Sequence, residues 1–206
     1  MVVIGLTGNI ASGKSTAAKI LQKFGCLVID ADQVGRDVVE PGQPAYVQLK
    51  QTFGEDYFLP DGKLNRKKLG SYVFASPQAL TVLNDITHPA IRLELLRRIQ
   101  RQQEKEPQQV IVIEAAVLLE ANMQSLADCL WLVVAEDEIR LQRAMERDNL
   151  SAALVKDRMK RQMPQQEKMK YADYIVHNNK GPQELRQEME QVWQQFLKDY
   201  GLETKK

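Results

Sequence analysis

Five short apolar runs divide the chain, and each is apolar at almost every position instead of alternating with polar residues. Continuous apolar runs of this length are typical of strands covered on both faces of a parallel sheet. Segments with helical periodicity separate the runs, which predicts βαβ units and an α/β fold. The predicted strands are Val2–Thr7, Cys26–Asp30, Val110–Glu114, Leu130–Val134 and Tyr174–His177.

Two long excursions interrupt this order of strands and helices. About 80 residues separate the second and third strands, far more than a usual crossover connection needs. They predict a largely helical insertion at about 33–107. A second excursion, at about 136–170, separates the fourth and fifth strands and predicts a helical lid. The remaining segments, about 1–32, 108–135 and 171–206, are expected to form the core of a single domain.

A glycine-rich loop follows the first predicted strand, in the stretch "GLTGNIASGKST". The residues from Gly8 to Ser15 fit G-x-x-x-x-G-K-[ST] between a strand and a helix, the context that this phosphate-binding motif requires. Its backbone N–H groups and the start of the next helix would face phosphate oxygens. Lys14 is expected to reach the β- and γ-phosphates of ATP, and Ser15 to bind Mg²⁺. The predicted nucleotide-binding residues are Gly8, Ala11, Ser12, Gly13, Lys14, Ser15 and Thr16.

This motif alone does not choose among motors, switches and kinases. A G protein needs a base-reading N/T-K-x-D segment, which the sequence lacks, and the short D-x-x-G match that begins at Asp32 follows too early a strand. A large motor or transporter ATPase needs more chain than remains. A small-molecule kinase is therefore the favoured class. The alternatives are a kinase for another acceptor, such as a nucleoside or nucleotide, and a nucleotide-dependent switch or binding module.

Two carboxylates follow the second predicted strand, in "VIDADQVGR". Strand alternation predicts that Asp30 and Asp32 lie on the same side. The carboxyl edge of a parallel sheet borders the ligand crevice, so a carboxylate there could orient a hydroxyl group for phosphoryl transfer. Asp32 is the candidate base. The alternative is that one or both residues cap the next helix.

Glu114 ends the third predicted strand, in "VIVIE". An acidic residue after a run of aliphatic residues resembles the second metal-supporting motif of P-loop proteins, where the residue is usually Asp. Glu114 is a weak candidate for holding a water bound to the metal. It could also be an exposed strand end.

The second excursion carries arginines at helical spacing. Arg140, Arg143 and Arg147 lie at offsets of three and four, on one predicted helical face. Planar guanidinium groups suit the negative charge on phosphoryl oxygens, and a closing lid would also exclude water. The alternative is an exposed helix whose arginines pair with nearby acidic residues. His88, before Pro89, is a candidate for bordering the acceptor pocket.

The charge balance and the cysteine count exclude some partners. The 206 residues include 28 basic and 27 acidic side chains, for a net charge of +1. No global field favours nucleic acid or an acidic membrane, no run approaches a membrane span, and the N-terminus does not resemble a signal peptide. The two cysteines are expected to be buried, reduced thiols. We therefore expect a cytoplasmic protein with small-molecule partners. The sequence does not determine its oligomeric state, although a monomer is favoured.

Several blocks in order resemble the dephospho-coenzyme A kinase family over nearly the whole length. They are "IGLTGNIASGKST", "VIDADQVGRDVV", "DGKLNRKKLGSYVF", "THPAI", "AAVLLEA", "RAMERDNLS", "RMKRQM" and "KMKYADYIVHNN". The resemblance implies ATP-dependent phosphorylation of the ribose 3′-hydroxyl of dephospho-CoA, the last step of CoA biosynthesis. It also implies a P-loop NTPase fold with a five-stranded, mainly parallel sheet, a helical acceptor-binding insertion and a helical lid.

The family resemblance also assigns roles to individual residues. Asp32 matches the family's base, and the three arginines at 140, 143 and 147 fall on its lid. Leu64, Arg66 and His88 fall in its CoA-binding insertion. The chain departs from the family where D-x-P-L-L-F-E is replaced by the stretch from Glu114 to Glu120, and where Asn9 and Ala11 replace common glycines. We expect these two loop positions to tolerate the change.

Overall fold

The computed structural model describes residues 1–203. The last three residues of the predicted core segment, 204–206, lie outside the described part. The strands are β1 (Val3–Thr7), β2 (Leu27–Asp30), β3 (Ile111–Glu114), β4 (Cys129–Val134) and β5 (Tyr174–His177). The helices are α1 (Lys14–Lys23), α2 (Ala31–Asp37), α3 (Pro44–Phe53), α4 (Arg66–Ala75), α5 (Pro77–Lys105), α6 (Asp137–Asp148), α7 (Ala152–Lys160), α8 (Gln165–Met169) and α9 (Pro182–Asp199).

Within residues 1–203, the five strands form one sheet in the order β2-β3-β1-β4-β5. Every neighbouring pair is parallel, so the predicted five-stranded α/β fold is confirmed. The register pairs Asp30 of β2 and Leu6 of β1 with Glu114 of β3. The carboxyl ends of β1, β2 and β3 therefore meet at one edge of the sheet. Glu114 ends the middle strand of the three, between β1 and β2.

The described chain divides into two compact units. The core unit comprises Met1–Asp30 and the chain from Gln102 onward, and the insertion unit comprises Ala31–Arg101. The core unit therefore contains the whole sheet and helices α6 to α8. Its main hydrophobic cluster joins the sheet to α1 and α9, with Leu21, Trp131 and Phe196 almost fully buried.

The insertion unit has a small hydrophobic core of its own. Leu69, Val73 and Ala79 are buried there, with Phe53 and other partly buried residues packed around them. Asn65 caps α4, because its side chain accepts a hydrogen bond from the N–H of Lys68 at 3.0 Å. No helix within residues 1–203 is both long enough and apolar enough to cross a membrane.

The structure corrects one expectation at the end of β2. The strand ends at Asp30, and α2 begins at Ala31, so strand alternation does not determine where Asp32 points. Asp32 lies instead in the first turn of α2. Acidic side chains are favoured in the first turn of a helix because they interact with its positive end.

Candidate active site

The glycine-rich loop joins the end of β1 to the start of α1, as the motif predicts. At Gly8, a β-carbon would lie 2.5 Å from Ser12 Oγ and 2.7 Å from the carbonyl oxygen of Val133. No real β-carbon approaches a backbone oxygen so closely, so only glycine fits beside β4. The loop then turns until Gly13, which has φ 98° and directly precedes the first residue of α1.

Ala11, where the sequence replaces a common glycine, has a strained backbone. Its φ is 58°, in the left-handed region where a β-carbon crowds the following carbonyl group. The substitution is accommodated, but at a cost of roughly 1 kcal/mol in backbone strain. Asn9 has no such strain, and its side-chain Nδ2 donates to the carbonyl oxygen of Met163 at 2.9 Å.

Lys14, Ser15 and Glu114 converge at the carboxyl edge of the sheet. Glu114 Oε1 accepts hydrogen bonds from Lys14 Nζ at 2.6 Å and from Ser15 Oγ at 2.7 Å. Glu114 is 9% exposed, which rules out the alternative that it is an exposed strand end. An acid, a cation and a hydroxyl thus meet beside the loop. Oxygen donors of this kind are the ligands that Mg²⁺ takes in proteins, together with substrate phosphates and water.

Two residues that sequence reasoning did not identify also hold the loop in place. Asn178, just after β5, donates from Nδ2 to the carbonyl oxygen of Ser12 at 2.7 Å. Gln162, between α7 and α8, accepts a hydrogen bond from the N–H of Ile10 at 2.7 Å. Each contact spans more than 150 residues of sequence. The family blocks "RMKRQM" and "KMKYADYIVHNN" contain the two residues, but no local pattern predicted their contacts with the loop.

Several buried polar atoms near the loop have no partner within residues 1–203. In the loop they are Asn9 Oδ1 and Ser12 Oγ; on α6, Nε and Nη1 of Arg140 are also buried without a partner among these residues. Buried polar atoms are almost always hydrogen-bonded in folded proteins. Such atoms in the loop and on α6 are therefore suited to a polar ligand.

Arg140, Arg143 and Arg147 lie on one helix, α6, as their spacing predicts, but their surroundings differ. Arg140 is 4% exposed and forms an ion pair with Asp137. Arg143 donates to the carbonyl oxygens of Asn178 at 2.8 Å and Lys180 at 2.7 Å. Arg147 is exposed and pairs with Asp148. Only Arg147 has a surface ion pair of the kind named as the alternative.

The predicted acceptor-side residues all belong to the insertion unit. Asp32 is exposed at the start of α2, and Leu64 packs against the small core near Leu69. Arg66 donates to the carbonyl oxygen of Arg36 at 2.9 Å, and burial lowers its pKa from the ordinary value. His88 lies half-buried in α5, where desolvation lowers its pKa and Asp85 partly offsets the shift.

The geometry indicates a phosphate-binding site but does not identify the protein family. Comparison with known proteins identifies it. The sequence profile of the dephospho-CoA kinase family matches residues 2–184. A dephospho-CoA kinase of Geobacter sulfurreducens is 43% identical over 194 residues, covering 94% of this chain and 98% of that protein. The chain belongs to the dephospho-CoA kinase family. Membership in a kinase family, together with the phosphate loop, implies that the chain uses ATP.

Solved structures agree with the family and with the fold. Dephospho-CoA kinase from Campylobacter jejuni is 28% identical, covers 96% of this chain and 98% of its own, and superposes with a TM-score of 0.72. A Thermus thermophilus protein is 30% identical with a TM-score of 0.79, covering 96% and 97% of the two chains. Shikimate kinase from Acinetobacter baumannii, at 16% identity, 97% and 94% coverage and a TM-score of 0.54, shares the fold alone. The chain therefore has the P-loop kinase fold that its family resemblance implies.

Proposed function

We propose that this chain transfers the γ-phosphate of ATP to the ribose 3′-hydroxyl of dephospho-CoA, giving coenzyme A. Membership in the dephospho-CoA kinase family over residues 2–184 carries the proposal. The contact of Lys14 and Ser15 with Glu114 supports only the nucleotide side of the proposal, because Lys14 and Ser15 belong to the phosphate loop.

Lys14 and the loop form the proposed nucleotide side of the site. The N–H groups at the start of α1, with Ser15 and Thr16 in its first turn, would face the polyphosphate of ATP. In the described geometry Glu114 balances the charge of Lys14 at 2.6 Å. A polyphosphate bound to the loop supplies negative charge to the same ammonium group, so Lys14 can stabilise the charge that develops as the bond to the β-phosphate breaks.

Ser15 and Glu114 would hold Mg²⁺, and the oxygens of these two side chains fit such a site. Their oxygens lie 2.7 Å apart at the mouth of the loop, and hard oxygen donors are what this cation prefers. When bound, Mg²⁺ would neutralise charge on the β- and γ-phosphates.

The acceptor side of the proposal rests on Asp32 and the segment at about 33–107. Asp32 would accept or orient the proton of the ribose hydroxyl as that oxygen attacks the γ-phosphorus. Leu64, Arg66 and His88 would contact dephospho-CoA. The helices at about 136–170 would act as a lid over ATP. On this lid Arg140 is the best placed of the three arginines to bind phosphate, because two of its buried nitrogens have no partner among the described residues.

We also propose that the protein works as a cytoplasmic monomer on small molecules. Two free, buried cysteines and a net charge near zero support this setting. Size-exclusion chromatography with light scattering tests the monomer directly, and a dimer mass would contradict it.

One assay with several acceptors tests the reaction. The protein is incubated with ATP, Mg²⁺ and a panel of dephospho-CoA, nucleosides and nucleotides, and products are identified by mass spectrometry. Phosphorylation of dephospho-CoA alone supports the proposal. Transfer to a nucleoside would indicate another small-molecule kinase, and tight ATP binding without any phosphorylated acceptor would favour a switch.

The role of Asp32 is tested by Asp32→Asn, with Asp30→Asn as the matched control two residues away. We expect Asp32→Asn to lower kcat by roughly 10²–10⁴, the usual range for a positioned acid–base residue, with ATP affinity largely kept. Asp30→Asn should retain most of the turnover. Equal losses in both variants, or near wild-type turnover in Asp32→Asn, would remove Asp32 from its assigned role.

A further inference from the structure

Lys168, on the short lid helix α8, is completely buried. Within residues 1–203 the only other charged side chains classed as buried are Glu114 and Arg140, both of which the proposed reaction uses. Removing an ammonium group from water is unfavourable unless its hydrogen bonds are replaced and its charge is balanced. A charged residue that is buried on a lid therefore calls for an explanation.

Two oxygens on the segment that follows β3 satisfy Lys168. Its Nζ donates to the carbonyl oxygen of Ala116 at 2.9 Å and pairs with Oε1 of Glu120 at 2.9 Å. Ala116 lies only two residues beyond Glu114. Lys168 therefore ties the lid to the chain that emerges directly from the strand carrying Glu114.

The contacts continue from Glu120 to the nucleotide loop. Glu120 Oε1 also accepts a hydrogen bond from the N–H of Met163 at 3.0 Å, and the carbonyl oxygen of Met163 accepts one from Asn9 Nδ2 at 2.9 Å. Next to Met163, Gln162 accepts from the N–H of Ile10 at 2.7 Å. We call this chain of contacts, from Lys168 through Glu120 and residues 162–163 to residues 9–10, the lid clasp.

The charges around Lys168 show why the clasp needs Glu120. Desolvation lowers the pKa of Lys168, the hydrogen bond and the charge of Glu120 raise it, and the charges of Lys14 and Arg140 lower it further. The three cations therefore lie in one neighbourhood. Glu120 compensates the buried ammonium and, with the same oxygen, fixes Met163.

We propose that Lys168 is a positioning residue for phosphoryl transfer: through Glu120 and residues 162–163 it holds Asn9 and Ile10 of the nucleotide loop in the geometry that receives the polyphosphate of ATP. For the transfer step this rests on the proposed function, whereas for ATP binding it rests on the phosphate loop alone. Lys168 acts through the loop and is not assigned a contact with substrate.

The test compares Lys168→Met with Lys170→Met on the same segment. Methionine keeps the length and apolar stem of Lys168 but cannot donate a hydrogen bond, whereas Lys170 is exposed and pairs on the surface with Glu167. We expect Lys168→Met to weaken ATP binding about tenfold and to lower kcat by up to about 10²-fold, as misplacement of a reacting group by about 1 Å can. The KM for dephospho-CoA should change little, and Lys170→Met should match the wild type.

Thermal unfolding and the double variant Lys168→Met/Glu120→Gln separate positioning from stability. Glutamine removes the carboxylate charge that Lys168→Met leaves uncompensated but can still accept from Met163, so the double variant should recover Tm while the loss in kcat persists. Recovery of kcat in parallel with Tm would overturn the proposal. The proposal would also be overturned if Lys168→Met lowered Tm but kept the ATP affinity and kcat of the wild type when both are measured well below the lowered Tm.

The same measurements distinguish failure of the proposed function from failure of the lid clasp. If the wild type binds ATP but does not phosphorylate dephospho-CoA, the proposed reaction is wrong. The ATP affinities of the Lys168→Met and Lys170→Met variants then still decide the clasp: a selective loss in the first supports it, and equal affinities overturn it.

Discussion

Gly13 is the residue at which the nucleotide loop meets the chain leaving β5. A β-carbon there would lie 2.0 Å from Asn178 Nδ2, the same amide nitrogen that donates to Ser12. The backbone also has φ 98°, which side chains other than glycine rarely adopt. Glycine is therefore needed both for the turn and for the close approach of Asn178.

Gly13→Ala should destabilise the protein and impair ATP binding, and Gly25→Ala is its matched control. Gly25 has a similar φ of 92° but nothing within 4 Å of its β-position. Backbone strain alone should cost Gly25→Ala about 1 kcal/mol, whereas the clash should add roughly 1–3 kcal/mol in Gly13→Ala. Urea denaturation and ATP titration measure both effects. Equal destabilisation in the two variants would contradict the role given to Asn178.

Local sequence was sufficient for most of the nucleotide loop. Its residues are contiguous, so the spacing of Gly8, Gly13 and Lys14 already specified a strand, a turn and a helix start. The motif did not predict the strain at Ala11, because the sign of φ depends on how the turn closes. The sequence also did not decide whether Glu114 supports a metal or is an exposed strand end, because the contacts of that carboxylate depend on how β3 pairs with its neighbours.

On helix α6, arginines that are regularly spaced along the sequence make different contacts. The spacing correctly placed Arg140, Arg143 and Arg147 on one side, because helical periodicity is a local property. It could not assign their contacts. The chain around Asn178 and Lys180, about 35 residues away, supplies the carbonyl oxygens bound by Arg143.

Arg143→Met should destabilise the protein by about 1.5–3 kcal/mol, the range for hydrogen bonds to charged groups. The variant loses two bonds that fasten α6 to the segment after β5. Arg147→Met should remain within about 0.5 kcal/mol of the wild type, because its partner Asp148 lies on the surface. Chemical denaturation of both variants tests the difference. Equal stability losses would show that the carbonyl contacts of Arg143 are not what anchors the helix.

At the scale of the whole molecule, the sheet brings distant segments together and encloses both thiols. Cys26 and Cys129 are free and buried, as the sequence predicts. Burial raises the pKa of Cys26 to about 12 and that of Cys129 to about 11. The thiolate is the reactive form of cysteine, so both side chains are protected by access and by ionisation.

Both thiols should therefore be nearly unreactive toward a disulfide reagent at pH 8 in native buffer, and should react as the protein opens. We expect the labelling rate to rise with urea in step with unfolding and to fall when ATP and Mg²⁺ are added, because a ligand that binds the native state stabilises it. Single Cys26→Ser and Cys129→Ser variants identify the reacting thiol. Fast labelling of either cysteine in native buffer would contradict its enclosure.

The amino-acid sequence by itself determined the five strands, the nucleotide loop and the family. Each is encoded by contiguous residues or by the order of conspicuous blocks, and strands covered on both faces must be apolar throughout. It did not determine the strand order, the start of α2 at Ala31, the partners of the three arginines or the burial of Lys168. These were decided only by the tertiary structure, because packing and strand pairing bring together groups that lie tens to more than a hundred residues apart.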